Sequence, residues 1–460
     1  MRFPKRPPAW RPLFDKILHE NPDAFAQAAN PATRDLIEKA NAESWNWEDS
    51  SYRAHQSGLS PKEFWVFVKL ARSIDRQSVP LDDAQGRPFS FRLPRSTARL
   101  LREIDLHLGG VVAVAESFPV LADAESKRRY LITSLTEEAI ASSQIEGAAV
   151  TREVAKEMLR TDRPPRSQGE RMILNNYRTI RFLNERRGEP MTPELLCDIQ
   201  RRLTEDTLDD PSAAGRFRRA DELIQVFDGE ENEPVFTPPP AGELTRRIDL
   251  LCEFANAPPD GGAGGDYIHP AVRAIILHFW LAFTHPFKDG NGRTARALFY
   301  WSMLRSRYWL TEYLAISTII RNHPKQYGRA FLNTEVDDND LSYFILYHLH
   351  VIERSIAEFR AYLDRKKAER ERLAAVLRSA DFDPRQLDIL GRALRDPTTR
   401  FTYESHANSQ GVAINTAKKD LLDLESRGLL IGNRRAKRFE FVAAADLDRR
   451  LRKLAGRRNR

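Results

Sequence analysis

The chain has 460 residues, a formal net charge of +7, and 41% hydrophobic and 30% charged residues. This length exceeds a single compact core and predicts two or three domains. The only cysteines, Cys197 and Cys252, are too few for a disulfide framework and fit a reducing compartment. Because the start lacks the apolar stretch of a signal peptide and no apolar run reaches membrane-spanning length, we expect a cytoplasmic protein.

The first part of the chain is dominated by helical patterns. Residues 1–98 hold four of the seven tryptophans and one helical pattern, at residues 61–74, and their role is not indicated. Further helical patterns follow at residues 99–108, 124–159 and 170–186, with a break at Pro164 and Pro165. We therefore expect a helical N-terminal region at 1–98 and a second helical region at 99–188.

The second helical region contains the sequence Ser142-Ser-Gln-Ile-Glu146-Gly147. Glu146 lies one helical turn beyond Ser142 on the same face, and Gly147 is suited to end the helix. A helix that ends in Glu-Gly is common, so taken alone this segment predicts no more than a helix end.

Residues 215–240 show short apolar runs in place of a helical pattern. The runs at 223–227 and 235–237 flank the turn-prone pair Asp228-Gly229, and three prolines follow at 238–240. This arrangement predicts a β-hairpin. The pattern does not distinguish an ordinary surface hairpin from a functional one.

Residues 285–296 read His-Pro-Phe-Lys-Asp-Gly-Asn-Gly-Arg-Thr-Ala-Arg and follow a buried helix that is predicted to end near Thr284. His285 lies just beyond that helix end and can accept a proton at neutral pH. Gly290 and Gly292 allow successive N–H groups around Asn291 to point at one anion. A second helix begins there, and its dipole favours negative charge.

Two arginines of this second helix, Arg293 and Arg296, share one face and can each bind phosphate oxygens. Asp289 would repel a phosphate unless it holds Mg²⁺, which binds one or two carboxylates together with phosphate oxygens. The segment therefore predicts a magnesium-dependent polyphosphate site. A plain glycine loop between two buried helices would leave the grouping of these side chains unexplained.

This segment resembles the signature of Fic-domain proteins, H-x-F-x-[D/E]-G-N-G-R-x-x-R, with every fixed position filled. The resemblance implies transfer of AMP from ATP to a Ser, Thr or Tyr hydroxyl of a target protein, with release of pyrophosphate. It makes His285 the general base, Asp289 the ligand of Mg²⁺ or Mn²⁺, and Arg296 the contact of the γ-phosphate. The α- and β-phosphates would be held by Gly290, Asn291, Gly292 and Arg293. The glycine after Asp289 favours AMP transfer over phosphorylation and leaves UMP open.

The upstream segment resembles the inhibitory motif of the same family, [S/T]-x-x-x-E-[G/N], at Ser142, Glu146 and Gly147. The resemblance implies that Glu146 pairs with Arg296 and competes with the γ-phosphate, so that the resting enzyme is slow. The predicted hairpin corresponds to the family's flap, which pairs with an extended segment of the target. An alternative reaction is removal of AMP, with Glu146 acting as a base on water.

The C-terminal segment is basic, since residues 427–460 hold 12 Lys and Arg against 3 Asp and Glu. Helical patterns at 382–394, 403–409 and 414–427 precede strand-like stretches at 431–441, an order that resembles a winged helix. The resemblance implies DNA contacts from the recognition helix and the wing, at Thr416, Lys418, Lys419, Arg434, Arg435, Lys437 and Arg438. Protein contact or dimerisation through this region is the alternative.

We therefore predict a mainly α protein with a helical N-terminal region, a helical Fic core carrying a small β-hairpin flap, and a C-terminal winged helix-turn-helix. The Fic catalytic domain is expected at 189–350, a helical linker at 351–380, and the winged-helix-like domain with its basic tail at 381–460. The predicted function is an ATP- and Mg²⁺-dependent protein adenylyltransferase; a DNA-binding regulator with a nucleotide-responsive core is the alternative. The expected partners are ATP, an unidentified target protein, the chain itself through automodification, and DNA. A homo-oligomer is left open, and no membrane partner is expected.

Overall fold

The computed structural model describes residues 3–74, 76–109, 124–222, 224–227, 234–258, 266–379, 382–395, 397, 399–435 and 438–456. Over these residues the protein is mainly α-helical, as predicted, and its strands form three two-stranded antiparallel sheets. The chain divides into two compact units, Met1–Phe359 and Arg360–Arg460. None of the described helices is both long enough and apolar enough to cross a membrane.

Five helices open the first unit: α1 Trp10–Glu20, α2 Asp23–Ala29, α3 Pro31–Ala42, α4 Trp47–Arg53 and α5 Pro61–Ser73. The helix predicted at 61–74 is confirmed, and its start has a clear local cause. Ser60 and Glu63 form a reciprocal capping box around Pro61, which occupies the first turn. The buried face of α5, including Phe64 and Trp65, packs with the other four helices into a separate hydrophobic cluster.

A β-hairpin follows these helices, although residues 1–98 were predicted to be helical. Its strands are β1 Gln77–Asp82 and β2 Pro88–Phe91, paired antiparallel. Phe89 of β2 is buried against Phe279 and Phe283, with ring centroids 5.3 and 4.9 Å apart. Strands this short carry little periodicity, so their pairing depends on burial against a helix that lies far away in the sequence.

The second group of helices comprises α6 Thr97–Ile104, with a π-helical turn at Asp105–Gly109, then α7 Ala124–Ile145, α8 Arg152–Thr161, α9 Gln168–Glu185 and α10 Pro193–Thr204. The helical pattern at 124–159 consists of two helices, and the helix end predicted at Gly147 is confirmed. Gly147 has φ +92° and ends the first, and the Thr151 side chain accepts a hydrogen bond from the Val154 N–H to begin the second.

The rest of the first unit contains α11 Leu244–Asn256, α12 Pro270–Thr284, α13 Asn291–Arg305, α14 Ile316–Asn322, α15 Pro324–Val336 and the start of α16 Ser342–Ser379. Almost all residues of α12 and α13 are buried, and these two helices pack against each other at the centre of the unit. The predicted hairpin is confirmed as β3 Val226–Phe227 paired with β4 Pro234–Phe236, while its turn at Asp228-Gly229 lies outside the described residues.

A buried charge cluster joins α5 to the loop between α15 and α16. The Lys69 ammonium lies 2.7 Å from Asp337, and Arg72 donates to the hydroxyl of Tyr343 at 2.7 Å. Tyr343 in turn donates to Asp337 at 2.7 Å. Because removing one partner of a buried ion pair costs about 3–5 kcal/mol, this cluster ties the N-terminal helices firmly to the rest of the first unit.

The second unit contains α17 Pro384–Arg395, α18 Tyr403–Gln410, α19 Ile414–Ser426, β5 Leu430–Arg435, β6 Arg438–Ala443 and α20 Leu447–Gly456. The predicted helices and strands of this region are confirmed to within a few residues, and the winged-helix assignment stays a prediction. Its core includes Leu390, Leu421 and Phe441. Asp420 accepts hydrogen bonds from His406 and Arg385, which links α17, α18 and α19.

Candidate active site

The proposed general base lies just past the end of α12, where His285 adopts a left-handed conformation with φ +49°. Its backbone N–H donates to the carbonyl of Leu281 at 2.9 Å, and its ring Nδ1 lies 3.0 Å from the carbonyl of Ala282. A carbonyl oxygen only accepts hydrogen bonds, so Nδ1 carries the ring proton and Nε2 is left as the acceptor.

The surroundings of His285 keep the imidazole neutral. Burial lowers the pKa of His285, and Arg218 lowers it further. The Ala282 carbonyl and the carboxylates of Glu146 and Asp289 raise the pKa of His285, but the net shift remains downward from 6.5. Nε2 therefore carries a free lone pair at neutral pH, as a general base requires.

Arg218 holds the loop that carries His285 and was not singled out from the sequence. Its Nε donates to the His285 carbonyl at 2.8 Å, its backbone N–H donates to the Pro286 carbonyl at 2.9 Å, and its Nη2 donates to the Pro239 carbonyl. Arg218 therefore joins the segment before the hairpin, the prolines after it and the catalytic loop. A lone arginine that binds backbone carbonyls leaves no motif in the sequence.

The loop after His285 is closed by its own side chains. Asn291 accepts from the backbone N–H of Phe287 at 2.9 Å and donates to the Phe287 carbonyl at 2.8 Å. Phe287 itself is fully buried and packs against Phe217. The Asn291 side chain therefore closes the loop, while its backbone N–H lies at the start of α13, where an anion can bind.

A second unpredicted residue, Gln200 of α10, supports the same loop. Its amide donates to the Asp289 carbonyl at 3.0 Å and accepts from the Gly215 N–H at 2.6 Å. Next to it, Gly290 has φ +81°, and a Cβ atom there would lie 2.7 Å from a methyl carbon of Thr204. Glycine is therefore required at this position by both conformation and space.

The carboxylate of Glu146 lies against the first turn of α13. A Cβ atom added to Gly292 would be 2.3 Å from its Oε1, and the same Oε1 accepts from Arg296 Nη2 at 2.9 Å. The N-terminal turn of a helix is where unpaired backbone N–H groups bind anions. In this structure the chain's own carboxylate takes the place at which a phosphate would be expected.

Arg296 is almost fully buried and forms hydrogen bonds with two residues of the upstream segment, Ser142 and Glu146. Its Nε donates to the Ser142 hydroxyl at 2.8 Å, and its Nη2 donates to the Ser142 carbonyl at 2.9 Å as well as to Glu146. Burial is the largest single effect and raises the pKa of Glu146, but the charges of Arg296 and Arg293 and the hydrogen bond from Arg296 together lower the pKa from its usual 4.5. The pair is therefore ionised at neutral pH.

Arg293 lies on the other side of the same turn. Its Nη1 donates to the Leu203 carbonyl at 2.9 Å, and its Nη2 lies 3.6 Å from Oδ2 of Asp289. Its Nε atom is buried without a hydrogen-bond partner. A buried guanidinium with an unused N–H close to a helix N-terminus suits an anionic ligand.

Asp289 is the one sequence-predicted metal ligand, and its side chain is 55% exposed. Oδ1 accepts from the Gly290 N–H at 2.5 Å, while Oδ2 faces Arg293. The described residues contain no group of three or more His, Cys, Asp or Glu side chains placed to hold a metal ion. A single carboxylate fits Mg²⁺ only where phosphate oxygens and water complete the coordination.

The structure thus brings together Ser142, Glu146, Gly147, His285, Asp289, Gly290, Asn291, Gly292, Arg293 and Arg296, which come from two separate stretches of sequence. Thr416, Lys418 and Lys419 belong to the second unit. Lys437 and the side chains of Arg434, Arg435 and Arg438 lie outside what the structure describes.

Comparison with known proteins identifies the part of the chain that carries this loop. Residues 190–303 match the model of the Fic/DOC family. Residues 190–303 form a Fic domain. The match includes the whole segment 285–296, while Ser142 and Glu146 lie upstream of the Fic domain and reach it through Arg296.

The chain is also similar to named Fic proteins. It is 25% identical over 226 residues to protein adenylyltransferase Fic of Nematostella vectensis, covering 48% of this chain and 47% of that protein. It is 31% identical over 133 residues to protein adenylyltransferase fic-1 of Caenorhabditis elegans, covering 28% and 23%. The chain thus spans less than half the length of these relatives.

Two solved Fic structures align with parts of the chain. A Fic family protein from Desulfovibrio desulfuricans aligns with a TM-score of 0.48 and 18% identity, over 77% of this chain and 97% of that one. Fic-1 from Caenorhabditis elegans aligns with a TM-score of 0.40 and 21% identity, over 59% and 72%.

Proposed function

We propose that this protein is an adenylyltransferase that moves AMP from ATP onto a hydroxyl group of a target protein and is inhibited by its own Glu146. The observation that carries the proposal is the Glu146 carboxylate, which is bound to Arg296 and seated against Gly292 at the start of α13. The Fic domain and the relatives named protein adenylyltransferase support the reaction.

The polyphosphate of ATP would bind at the N-terminal turn of α13. The backbone N–H groups around Asn291 and Gly292, the free Nε of Arg293 and the guanidinium of Arg296 surround one position with positive charge. A phosphate and the Glu146 carboxylate cannot share that position, because both are anions and both need Arg296. The γ-phosphate must therefore displace Glu146 before ATP can bind in the orientation that transfer requires.

The transfer itself requires a base and an aligned phosphorus atom. His285 Nε2 would take the proton from the target hydroxyl as its oxygen attacks the α-phosphorus, and the bond to the pyrophosphate oxygen breaks. Pyrophosphate leaves, and AMP stays on the target oxygen. Asp289 would hold Mg²⁺, which when bound neutralises phosphate charge during this step. The β3–β4 hairpin would hold an extended segment of the target by strand addition.

Intact-mass spectrometry after incubation with ATP and Mg²⁺ tests this proposal. Gain of one AMP by the chain or by an added target supports it, and gain of UMP from UTP would change only the nucleotide. If an AMP-modified target instead lost its AMP in the presence of the protein, the site would catalyse the reverse process. No change of mass under any of these conditions would contradict the proposal.

The rate of AMP transfer should depend on pH through the protonation of His285. Since the pKa of His285 is lowered from 6.5, its neutral form persists above that pH, and the rate falls only as the pH drops below it. In a Glu146→Gly variant the acid limb should shift to still lower pH, because the Glu146 charge raises the pKa of His285. Single-turnover rates between pH 5 and 8 measure this, and ATP affinity over the same range controls for binding. An acid limb above pH 7 would contradict the assignment.

We further propose that the second unit binds DNA. Lys418 and Lys419 are exposed on α19, the third helix of the second unit and the last before the β5–β6 hairpin, while Leu421 and Leu424 are buried in the core. The basic stretch at 427–460 adds positive charge. Exposed lysines on the last helix before a hairpin suit phosphate contacts beside a major groove.

Replacing Lys418 and Lys419 together with Ala should weaken binding to duplex DNA and reduce the slope of log affinity against log salt by about 2. Gel-shift titrations at several salt concentrations measure this. Lys62→Ala, which changes an exposed lysine of the first unit, is the matched control and should leave the slope unchanged. Equal affinities for all three proteins would favour a protein-contact role for this unit.

A further inference from the structure

Helix α7 carries a second carboxylate that the reaction does not use. Glu138, two helical turns before Glu146, is only 2% exposed. Its Oε2 accepts from the backbone N–H of Ser317 at 2.9 Å, and its Oε1 accepts from the Ser317 hydroxyl. Burial raises the pKa of Glu138, and the two hydrogen bonds from Ser317 offset part of the cost of burying its carboxylate.

Ser317 is in turn fixed to α13, the helix that carries Arg296. The hydroxyl of Tyr300 on α13 donates to the Leu314 carbonyl at 2.8 Å and accepts from the Ile316 N–H at 3.3 Å. These two backbone groups lie within the three residues that precede Ser317. The Glu138 carboxylate lies within hydrogen-bonding reach of the Tyr300 hydroxyl, and after burial it is the next cause that raises the pKa of Tyr300.

The contacts between α7 and α13 follow one register. Glu146 lies over Gly292, Ser142 binds Arg296, and Glu138 lies beside Tyr300. From one of these contacts to the next, the residue on α7 lies four positions earlier in the chain and the residue on α13 lies four positions later. The two helices therefore run antiparallel and contact each other once per turn. The Glu138 contact therefore fixes the same register that places Glu146 in the anion site.

A further contact of α7 reaches the same short helix. Arg321 of α14 donates to the Gln144 side chain, so α14 holds α7 both at Glu138 and near its end. Glu146 itself follows the last residue of α7 and precedes Gly147, which has φ +92°. Besides the Glu138 contact, the end of α7 is held by hydrogen bonds of Ser142, Gln144 and Glu146, and by Asn176, which donates to the Ser143 hydroxyl at 3.5 Å.

We propose that Glu138 and Ser317 are positioning residues of the inhibition: they latch α7 to α14 and α13, so that Glu146 stays in the site of the γ-phosphate. This inference rests on the proposed function. It names a second place at which the inhibition can be released, about two turns from the site and beyond the matched Fic domain.

The test compares automodification by intact-mass spectrometry with ATP and Mg²⁺ in wild type, Glu138→Ala, Glu146→Gly and the double variant. Glu138→Ala should raise the rate at least about tenfold, because it removes two hydrogen bonds to a buried carboxylate. In the Glu146→Gly background the same change should add less than about twofold, since no inhibition remains to release. A purely structural role for Glu138 would lower the rate in both backgrounds.

Two further variants distinguish the Glu138–Ser317 contact from general loosening of α7. Glu137→Ala removes the neighbouring carboxylate, which pairs with Arg152 and Lys156 of α8, and should leave the rate within about twofold of wild type. Ser317→Ala loses only the hydroxyl contact and keeps the backbone N–H, so it should raise the rate by a smaller factor, about threefold. Ser317→Ala also tests the proposal if the Glu138→Ala protein does not fold.

The outcomes separate the two proposals. If Glu146→Gly gains AMP but neither Glu138→Ala nor Ser317→Ala exceeds wild type, the latch is wrong and the proposed function stands. If Glu137→Ala activates as strongly as Glu138→Ala, general loosening of α7 is the cause and the latch is wrong. If Glu146→Gly gains no AMP with any target, the proposed function and the latch both fail.

Discussion

Replacing Glu146 with Gly should raise automodification by about 10- to 100-fold. ATP must break the charge-assisted hydrogen bond between Glu146 and Arg296, and such a bond contributes about 1.5–3 kcal/mol, which corresponds to that range. The variant removes this competition and frees the space over Gly292. Intact-mass spectrometry over time gives the rate, and calorimetry gives the affinity for ATP, which should rise by a similar factor.

Two other substitutions at this position identify the cause of the gain. Glu146→Ala removes the carboxylate without adding backbone freedom, and it should activate nearly as well as Glu146→Gly. Glu146→Gln keeps the shape and loses the charge, so its rate should lie between wild type and Glu146→Gly. If only the glycine variant were active, backbone flexibility next to Gly147 would explain the gain, and the inhibitory role of the carboxylate would be wrong.

Replacing His285 with Ala in the activated Glu146→Gly protein should lower AMP transfer by about 10²- to 10⁴-fold, the range that a general base contributes. ATP affinity should stay within about twofold, because the described contacts of the imidazole are with the Ala282 carbonyl and with nearby charges, and the phosphate site is built from α13. Single-turnover mass spectrometry and calorimetry measure the two quantities separately.

A second histidine provides the control. His323 also directs Nδ1 at a carbonyl of the preceding turn, that of Ile319 at 3.1 Å, and it lies outside the catalytic loop. His323→Ala should therefore leave both transfer and ATP affinity unchanged. Retained AMP transfer in the His285→Ala protein would exclude His285 as the base, and a large loss of ATP affinity would instead show that it supports the loop.

The parts of the site that could be predicted from sequence are those whose chemistry is local. The segment 285–296 contains a helix end, a turn that needs glycine, and a helix start, all within twelve consecutive residues. Its backbone geometry therefore follows from short-range rules on helix ends and positive φ. The positions of His285 past α12 and of the arginines on α13 needed no knowledge of distant contacts.

The residues that were missed act through contacts that no sequence pattern encodes. Arg218 and Gln200 hold the loop by binding backbone carbonyls and N–H groups far along the chain. The loop closure by the Asn291 side chain was not predicted either, because its amide binds backbone groups of Phe287. Backbone groups are identical at every position, so a side chain that binds them leaves no trace in the residue types of its partners.

By itself, the sequence determined the mainly helical class, the position of the catalytic loop, and the candidate base and arginines. It also led to the expectation that Glu146 competes with the γ-phosphate of ATP for Arg296. Only the tertiary structure decided that Oε1 of Glu146 lies 2.9 Å from Arg296 and against Gly292, and that Glu138 binds Ser317. These contacts join residues more than a hundred positions apart. Helix periodicity sets which residues share a face, but the packing of whole helices sets which faces meet.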